Sequence, residues 1–336
     1  MKYRYIGRTG LRVSPICLGT MTFGTQCDKK EAFNIMDKAY EKGVNFFDTA
    51  EIYPVPPSSE LGGLTESIIG EWLKDKPRDK MIIATKVSGA ASGWFVPPTR
   101  HGMTAIDRHH IMKAIEGSLQ RLGTDYIDLY QMHWPDTIVP IEESMEAFDR
   151  LIQDGKVRYL GTSNDTAYGT TKANMSAKMQ GFKRFESIQN NFSLLNRRFL
   201  DEMQVMCEKE DISLLPYSPM AGGVLSGKYN ANQSGRFSAY ANSDNPRVRA
   251  QAIKFLNDKT LASTKEYINL AQDIGISPIT LAVAWSKQFS FVASTIIGAT
   301  KVEQLDDSLK AMDLELSDEV LQACETIHAN NLYPMG

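Results

Sequence analysis

The sequence predicts an α/β fold: a single (β/α)8 TIM barrel that spans residues 1–336 as one domain, with an N-terminal β-hairpin and long loops at the carboxyl-terminal rim. Eight short apolar runs alternate with amphipathic segments, as expected when parallel strands buried on both faces alternate with helices. The chain of 336 residues has room for such units and contains no linker or internal repeat. Periodicity cannot show closure, so an open doubly wound sheet is the alternative.

The apolar runs define the predicted strands. In chain order they are Ile16–Gly19, Val44–Asp48, Met81–Lys86, Tyr126–His133, Val157–Ser163, Glu186–Gln189, Ile212–Tyr217 and Thr295–Gly298. Before them, Lys2–Val13 predicts a small hairpin over one end of the barrel. Two long polar stretches, Ser88–Asp107 and Gly222–Asp258, interrupt the rhythm, and long loops in a compact domain are often functional.

Short signals mark the ends of the predicted helices. Asp28 with Glu31 resembles a capping pair at the start of the first helix, and Gly43 is predicted just beyond its end. Pro140 and Gly155 bracket a later helix in the same way. These signals agree with the periodicity and support alternating strands and helices.

Composition excludes several classes of function. The chain has 37 basic and 40 acidic residues, a net charge of −3, which does not favour a nucleic-acid or membrane partner. The four cysteines show neither CxxC pairs nor metal-ligand spacing, so we expect no metal and a reducing, cytoplasmic location. No apolar run is long enough for a membrane helix, and the start is too polar for a signal peptide. We expect a small-molecule partner; the oligomeric state is open, and a monomer is compatible with the sequence.

Four reactive side chains are expected at one rim of the barrel, where parallel strands end. Asp48, Lys86 and His133 end three predicted strands, and Tyr53 follows the first of these. Taken singly, each has an ordinary interpretation: the aspartate caps a helix, the lysine is solvated, the histidine is a core residue and the tyrosine packs near a loop. Together they suit carbonyl reduction, in which the alkoxide formed by hydride addition must be protonated. An ammonium lowers the pKa of a nearby tyrosine, a carboxylate keeps that ammonium charged, and a histidine can bind the substrate oxygen.

Hydride chemistry needs a dinucleotide, but no GxGxxG links a strand to a helix, which argues against a Rossmann domain. Gly222–Tyr229 resembles a P-loop, yet Tyr229 stands where that motif requires Ser or Thr to bind Mg²⁺. Lys228 could still meet a phosphate as a point charge. A nucleotide-hydrolysing site is therefore disfavoured.

The last strand-to-helix junction is a better candidate for a phosphate site. Thr300 and Glu303 have the spacing of a capping box after Thr295–Gly298, and a helix N-terminus attracts anions. A plain helix cap is the alternative. Ser163, Asn164 and Gln189 could hold a carboxamide, and Tyr217 offers a flat face to a nicotinamide ring.

Long motifs resemble the aldo-keto reductase superfamily, and its Tas-like NADP(H)-dependent branch in particular. They are GRTGLRVSPICLGTMTFG, AEIYPVPPSSELGGLTESIIGEWL, NNFSLLNR and AMDLELSDEV, and the resemblance runs nearly end to end. It implies NADPH-dependent reduction of aldehydes and ketones to alcohols, with Asp48, Tyr53, Lys86 and His133 as the catalytic tetrad and Tyr53 as the proton donor. It also implies a set of cofactor contacts: Gly19, Thr20, Met21, Gln26, Asp48, Ser163, Asn164, Gln189, Tyr217, Ser218, Pro219, Met220, Leu225, Lys228, Arg236, Gly298, Thr300, Gln304, Asp307 and Ser308.

The chain departs from the resemblance at two positions. Ser308 stands where many relatives have asparagine, and arginine is common near Thr300. Lys301 and Arg236 are then the cations available to a 2′-phosphate.

The expected substrate pocket contains Met21, Tyr53, Trp94 and Trp134. Trp134 could instead pack beneath His133. Two other functions stay open. One is an NADPH-binding regulatory or redox-sensing protein, as in the potassium-channel β subunits that the sequence more distantly resembles. The other is a barrel hydrolase, which would bind no nucleotide.

Overall fold

The computed structural model describes residues 2–91, 103–244 and 246–335, so the predicted pocket residue Trp94 lies outside the described residues. Within them, eight parallel strands form one sheet in the order β10-β3-β4-β5-β6-β7-β8-β9. These strands are β3 (Ile16–Gly19), β4 (Phe46–Asp48), β5 (Ile82–Val87), β6 (Ile127–Met132), β7 (Val157–Ser163), β8 (Phe185–Gln189), β9 (Ser213–Leu214) and β10 (Thr295–Ile297). Each overlaps one predicted apolar run, and the α/β barrel prediction is confirmed.

Backbone hydrogen bonds close the ring between β9 and β10, the two ends of the sheet order. Leu214 at the end of β9 donates its N–H to Phe291 and accepts one from Ala293, at 2.7 and 3.1 Å. Farther along, the Ile296 N–H of β10 donates to Pro216 O at 2.8 Å. These bonds satisfy edges that an open sheet would expose, and they decide between the two arrangements that the periodicity allowed.

The predicted hairpin covers the amino-terminal end of the barrel. β1 (Arg4–Tyr5) and β2 (Arg12–Val13) pair antiparallel. The hairpin is tied to the starts of β8 and β9, because Arg8 N–H donates to the Glu186 carboxylate and Gly7 N–H to the Ser213 hydroxyl. The rim at the carboxyl-terminal end is therefore left to the loops.

Helices pack outside the sheet, as the periodicity predicts. They are α1 (Lys29–Glu41), α2 (Leu64–Leu73), α3 (Arg108–Leu122), α4 (Ile141–Gln153), α5 (Ala167–Gln180), α6 (Met203–Glu210), α7 (Arg236–Ala241), α8 (Pro246–Phe255), α9 (Asp258–Asp273), α10 (Pro278–Lys287), α11 (Leu305–Lys310) and α12 (Asp318–Asn330). None of the helices in the described residues is long and apolar enough to cross a bilayer.

The first helix confirms part of its predicted boundary. The Asp28 side chain caps α1 by accepting the Glu31 N–H at 2.8 Å, and Gly43 follows the helix with a φ of 91°. The reciprocal half of a capping box does not form, because the Glu31 carboxylate accepts the Val302 N–H instead. A tertiary partner thus outcompetes the local one.

The predicted capping box at Thr300 is wrong. A 3-10 turn, Val302–Gln304, precedes α11, and its N-cap Lys301 makes no side-chain capping bond. Thr300 instead donates its backbone N–H to the Gln304 side chain at 2.9 Å. The 3-10 geometry shifts the start of the helix, so that Glu303 cannot return to Thr300.

The polar stretch after β9 is more ordered than a loop. It contains α7 and α8, which Phe237 and Phe255 hold together by stacking at 4.2 Å between ring centroids. The P-loop resemblance has no structural counterpart there, since Gly222 lies inside a 3-10 turn, Ala221–Ser226, and no helix begins at Lys228.

Candidate active site

A buried ion pair lies at the centre of the rim. Lys86, in β5, donates from Nζ to Asp48 Oδ2 at 2.6 Å and to the Thr49 carbonyl at 2.7 Å. The side chains of Lys86 and Asp48 are 0% and 3% exposed. Burial by itself lowers the pKa of Lys86, but the charges of Asp48 and Tyr53 outweigh this and bring it above its ordinary value. The ammonium is therefore charged at neutral pH, as the sequence predicted.

Two glutamines hold the other oxygen of the carboxylate. Gln189 and Gln131 donate from Nε2 to Asp48 Oδ1 at 2.8 and 3.1 Å. Gln189 also donates to Gln131 Oε1 at 3.2 Å. The Gln189 amide, expected at a carboxamide, thus supports the ion pair, and Gln131 is a contributor that the sequence reasoning missed.

Tyr53 lies next to this pair. It is buried, 9% exposed, and Lys86 Nζ is 5.1 Å from the centroid of its ring. Burial raises the pKa of Tyr53 above its ordinary value, while the Lys86 charge offsets only part of that rise. The ammonium thus lowers this pKa as expected, but loss of hydration outweighs the attraction of a single charge, so the pKa lies above its ordinary value. Tyr53 is a protonated phenol at neutral pH.

His133 follows the end of β6 and packs edge-to-face against Tyr53, with ring centroids 5.7 Å apart. Burial, and secondarily the Lys86 charge, hold the pKa of His133 well below its ordinary value, so the ring is neutral. Its Nδ1 is buried without a hydrogen-bond partner in the described residues. The four predicted rim residues, Asp48, Tyr53, Lys86 and His133, thus come together at one place.

Apolar side chains pack against the buried cluster that contains Tyr53. Met21, Val55, Ala91 and Trp134 pack against a cluster formed by Tyr53 and its chain neighbours. Trp134 also lies 4.9 Å from His133, measured between ring centroids, so it both borders this cluster and packs against the histidine. Packing against His133 is therefore observed, and a role of Trp134 in a substrate pocket stays a prediction.

The strand exits beside the tetrad carry polar groups that were predicted to meet a nicotinamide. The Tyr217 hydroxyl donates to Asn164 Oδ1 at 2.8 Å, and Asn164 Nδ2 donates to the His133 carbonyl at 2.9 Å. Ser163 Oγ donates to the Gln189 carbonyl at 2.8 Å. Asn164 and Ser218 have φ values of 55°, a left-handed conformation that turns the backbone sharply after β7 and after β9.

The first strand-to-helix loop lies against the segment after Tyr53. Gln26 Nε2 donates to the Val55 carbonyl at 3.2 Å, and Val55 N–H donates to Met21 O at 2.9 Å. Thr20 binds the Asp48 carbonyl through Oγ1 at 2.9 Å. Gly19 is held against β10, because an added Cβ would lie 2.7 Å from Ile296 Cγ2.

Lys228 and Arg236 form a cationic pair beyond the exit of β9. Burial, and then the charge of Arg236, lower the pKa of Lys228. The Arg236 Nε is buried without a hydrogen-bond partner, and neither side chain forms an ion pair with a carboxylate in the described part of the chain. Two adjacent positive charges without a counterion suit an anionic ligand.

The remaining predicted cofactor residues differ in accessibility. Gly298 is exposed, and Met220 is partly buried. Pro219, Leu225 and Ser308 are buried, so their side chains lie within the protein. Asp307 is paired with Lys310 at 2.9 Å, and Gln304 is engaged with Thr300. No group of histidine, cysteine, aspartate and glutamate side chains within residues 2–91, 103–244 and 246–335 is arranged to hold a metal.

The fold and its rim define a (β/α)8-barrel enzyme whose charged and titratable side chains lie at the carboxyl ends of the strands. The model of the Aldo/keto reductase family matches residues 15–329. The chain therefore belongs to the aldo/keto reductase family of oxidoreductases.

Relatives that match nearly the whole chain support this family assignment. The chain is 36% identical to Protein tas of Escherichia coli, covering 99% of each chain. It is 38% identical to the uncharacterized oxidoreductase YrpG of Bacillus subtilis, covering 97% of this chain and 96% of the relative. It is also 33% identical to a probable voltage-gated potassium channel subunit beta of Oryza sativa, covering 97% and 96%.

Proposed function

We propose that the protein is an NADPH-dependent carbonyl reductase that converts aldehydes and ketones to alcohols, with Tyr53 as the general acid. One observation carries the proposal: a buried, protonated Tyr53 lies between the charged Lys86 and the neutral His133. A proton donor, a cation that stabilises its conjugate base and a neutral hydrogen-bonding ring are the groups that protonation of an alkoxide requires.

The protein's own residues would handle the proton as follows. The carbonyl oxygen of the substrate binds between the Tyr53 hydroxyl and the His133 ring. NADPH, when bound, supplies the hydride that adds to the carbonyl carbon. The Tyr53 O–H bond breaks as its proton passes to the substrate oxygen, and the resulting phenolate is stabilised by the Lys86 ammonium. Asp48 keeps that ammonium charged and oriented, while Gln131 and Gln189 hold Asp48.

The described residues fit a phosphorylated dinucleotide. Among these residues, Lys228 and Arg236 have no carboxylate counterion and the buried Nε of Arg236 has no hydrogen-bond partner, so both side chains are available to an anion. These two residues would hold phosphates of NADPH. Tyr217, whose pKa burial raises to about 12, stays protonated and presents its ring beside the tetrad, where a nicotinamide would stack. Ser163 and Asn164 lie next to it as amide-binding groups.

We also propose a cytoplasmic location. All four cysteines are free and buried, which supports a reducing, cytoplasmic location.

Replacement of Tyr53 by phenylalanine tests the proposal. Tyr53→Phe removes the transferable proton and keeps the ring, so turnover should fall by about 10²–10⁴. Binding of NADPH, followed by quenching of protein fluorescence, should be preserved. A mutant that reduces aldehydes at the rate of the wild type would contradict the assignment.

Because the chain is similar to a probable voltage-gated potassium channel subunit beta, we propose regulation as a second candidate function, in which NADPH would be a bound ligand rather than a consumed substrate. Steady-state oxidation of NADPH with a panel of aldehydes separates the two. Turnover above the blank that depends on Tyr53 supports the reductase, whereas tight NADPH binding without turnover of any aldehyde supports regulation.

A further inference from the structure

Glu51 lies between Asp48 and Tyr53 in the chain, but its carboxylate binds the next strand exit. Its Oε1 accepts the Ser88 N–H at 2.6 Å and lies 3.2 Å from His110 Nε2 in α3. Glu51 and His110 are 9% and 1% exposed. The backbone joins the same exits, since Glu51 N–H donates to Lys86 O at 3.2 Å. The Glu51 side chain thus extends the pairing of β4 and β5 beyond the ends of these strands.

Glu51 is ionised in this position. Burial raises its pKa, but the hydrogen bond and charge of His110 and the hydrogen bonds of Ser88 outweigh burial and bring it below its ordinary value. Because a carboxylate only accepts hydrogen bonds, His110 Nε2 is the donor in their contact. Charge-assisted hydrogen bonds of this kind are stronger than those between neutral groups.

Ser88 is the first residue of a short wall, Ser88–Ala91, which leads to the Tyr53 cluster. Ala90 O accepts the Trp134 Nε1–H at 2.7 Å, and Ala91 packs against that cluster. Gly89 lies so close to Trp134 that an added Cβ would collide with its ring and carbonyl. Displacement of Ser88 would therefore be transmitted to Trp134.

Thr104, which lies shortly before α3, is hydrogen-bonded to this wall. Thr104 Oγ1 donates to Gly89 O at 2.7 Å, and Ala91 N–H donates to Thr104 O at 3.2 Å. His110 lies just beyond, in the first turn of α3. The carboxylate of Glu51 therefore links Ser88, at the start of the wall, to the first turn of α3.

We propose that Glu51 and His110 are positioning residues that hold the Ser88–Ala91 wall and Trp134 over Tyr53, and thereby set the fit of the carbonyl substrate. The inference rests on the proposed reductase function. Neither Glu51 nor His110 contacts the Asp48–Lys86 ion pair through its side chain. Glu51 and His110 should therefore affect substrate binding more than proton transfer.

The chain contains a matched control at the other end of β5. Asp128 is 8% exposed, and its Oδ2 accepts the Ile83 N–H at 2.9 Å and a hydrogen bond from Arg78 at 2.7 Å. It is also a buried carboxylate between a β5 N–H and a basic side chain, but it lies at the amino-terminal end of the barrel. Asp128→Ala therefore reproduces the loss of a buried carboxylate far from the wall.

The experiment compares Glu51→Ala, Glu51→Gln and Asp128→Ala in the full chain. Each is measured for kcat and KM with an aldehyde, for NADPH affinity, and for hydrogen exchange of the amides at 88–91. We expect Glu51→Ala to raise the aldehyde KM about tenfold, as for loss of a charged hydrogen bond, with kcat and NADPH affinity little changed. Exchange at Ser88 should accelerate. Glu51→Gln keeps an acceptor and should restore most of the wild-type KM, and Asp128→Ala should leave KM unaltered.

Several results would overturn the inference: an unchanged KM in Glu51→Ala, an equal rise in Asp128→Ala, or a loss confined to kcat. If Glu51→Ala does not fold, His110→Phe removes the donor at similar size and should show the same rise in KM. Failure of the proposed function is a separate result, because the wild-type protein would then bind NADPH but reduce no aldehyde.

Discussion

The two ends of the barrel each hold an ion pair, and the pairs differ in the groups that lie beside them. At the amino-terminal end, Arg78 binds Asp128, the carbonyls of Met81 and Tyr126, and the Thr124 hydroxyl. The guanidinium is thus held on every side, and the pair ties strands to their loops.

The carboxyl-terminal pair lies beside titratable side chains that are available to a ligand. Lys86 and Asp48 are more deeply buried than Arg78 and Asp128, at 0% and 3% against 18% and 11% exposed side chains. Beside them lie a protonated phenol and a neutral imidazole whose Nδ1 has no partner in the described residues. Burial of charge alone therefore does not mark an active site; titratable groups left available next to that charge do.

A cleft away from the rim shows that volume alone does not mark an active site either. A cleft of about 790 Å³ lies near the amino-terminal end, lined by residues that include Arg158, Arg184 and Glu186. Arg184 is already paired with Glu186 at 3.0 Å, and Arg158 lies 4.4 Å from the centre of the Tyr126 ring. The lining of this cleft includes none of the four tetrad side chains, so its volume alone does not make it a rival to the rim.

The largest effect should come from breaking the rim pair. Lys86→Met removes the cation beside Tyr53 and leaves Asp48 buried alone, so turnover should fall by about 10²–10⁴ and the free energy of unfolding by about 3–5 kcal/mol. Aldehyde reduction and chemical denaturation measure the two losses. Lys86→Met with Asp48→Asn should recover stability but not turnover. Recovery of turnover in the double mutant would show that the pair is only structural.

The amino-terminal pair should respond in stability alone. Arg78→Met leaves the Asp128 carboxylate without its cation, and the free energy of unfolding should decrease by about 3 kcal/mol. The kcat and KM of the folded protein should equal those of the wild type at a temperature well below unfolding. A fall in kcat comparable to that of Lys86→Met would erase the distinction between the two ends.

The smallest effect should come from the outer part of the rim. Arg236→Ala removes one cation of the Lys228–Arg236 pair, for which the described residues provide no counterion, so the KM for NADPH should rise about tenfold while kcat changes little. Arg249→Ala, in which an exposed arginine of α8 is lost, is the control and should be neutral. An equal effect of both substitutions would mean that Arg236 contributes only general charge.

Much of this arrangement could be predicted from local pattern. Residues such as Asp48, Lys86 and His133 are placed by strand periodicity, because the carboxyl ends of parallel strands meet at one edge. Glu51 and His110 could not be paired in this way. They are 59 residues apart, one after a strand and the other in a helix, and each has an ordinary local interpretation.

The sequence by itself determined the alternation of strands and helices and the identity of the rim side chains, because these follow from periodicity and chain order. Tertiary structure decided the rest. It closed the ring at Leu214, drew the Glu31 carboxylate away from its own helix to Val302, and raised the pKa of Tyr53 where a neighbouring charge alone predicted a fall. Loss of hydration on burial and long-range partners arise only when the chain folds, and they decide which local preference prevails.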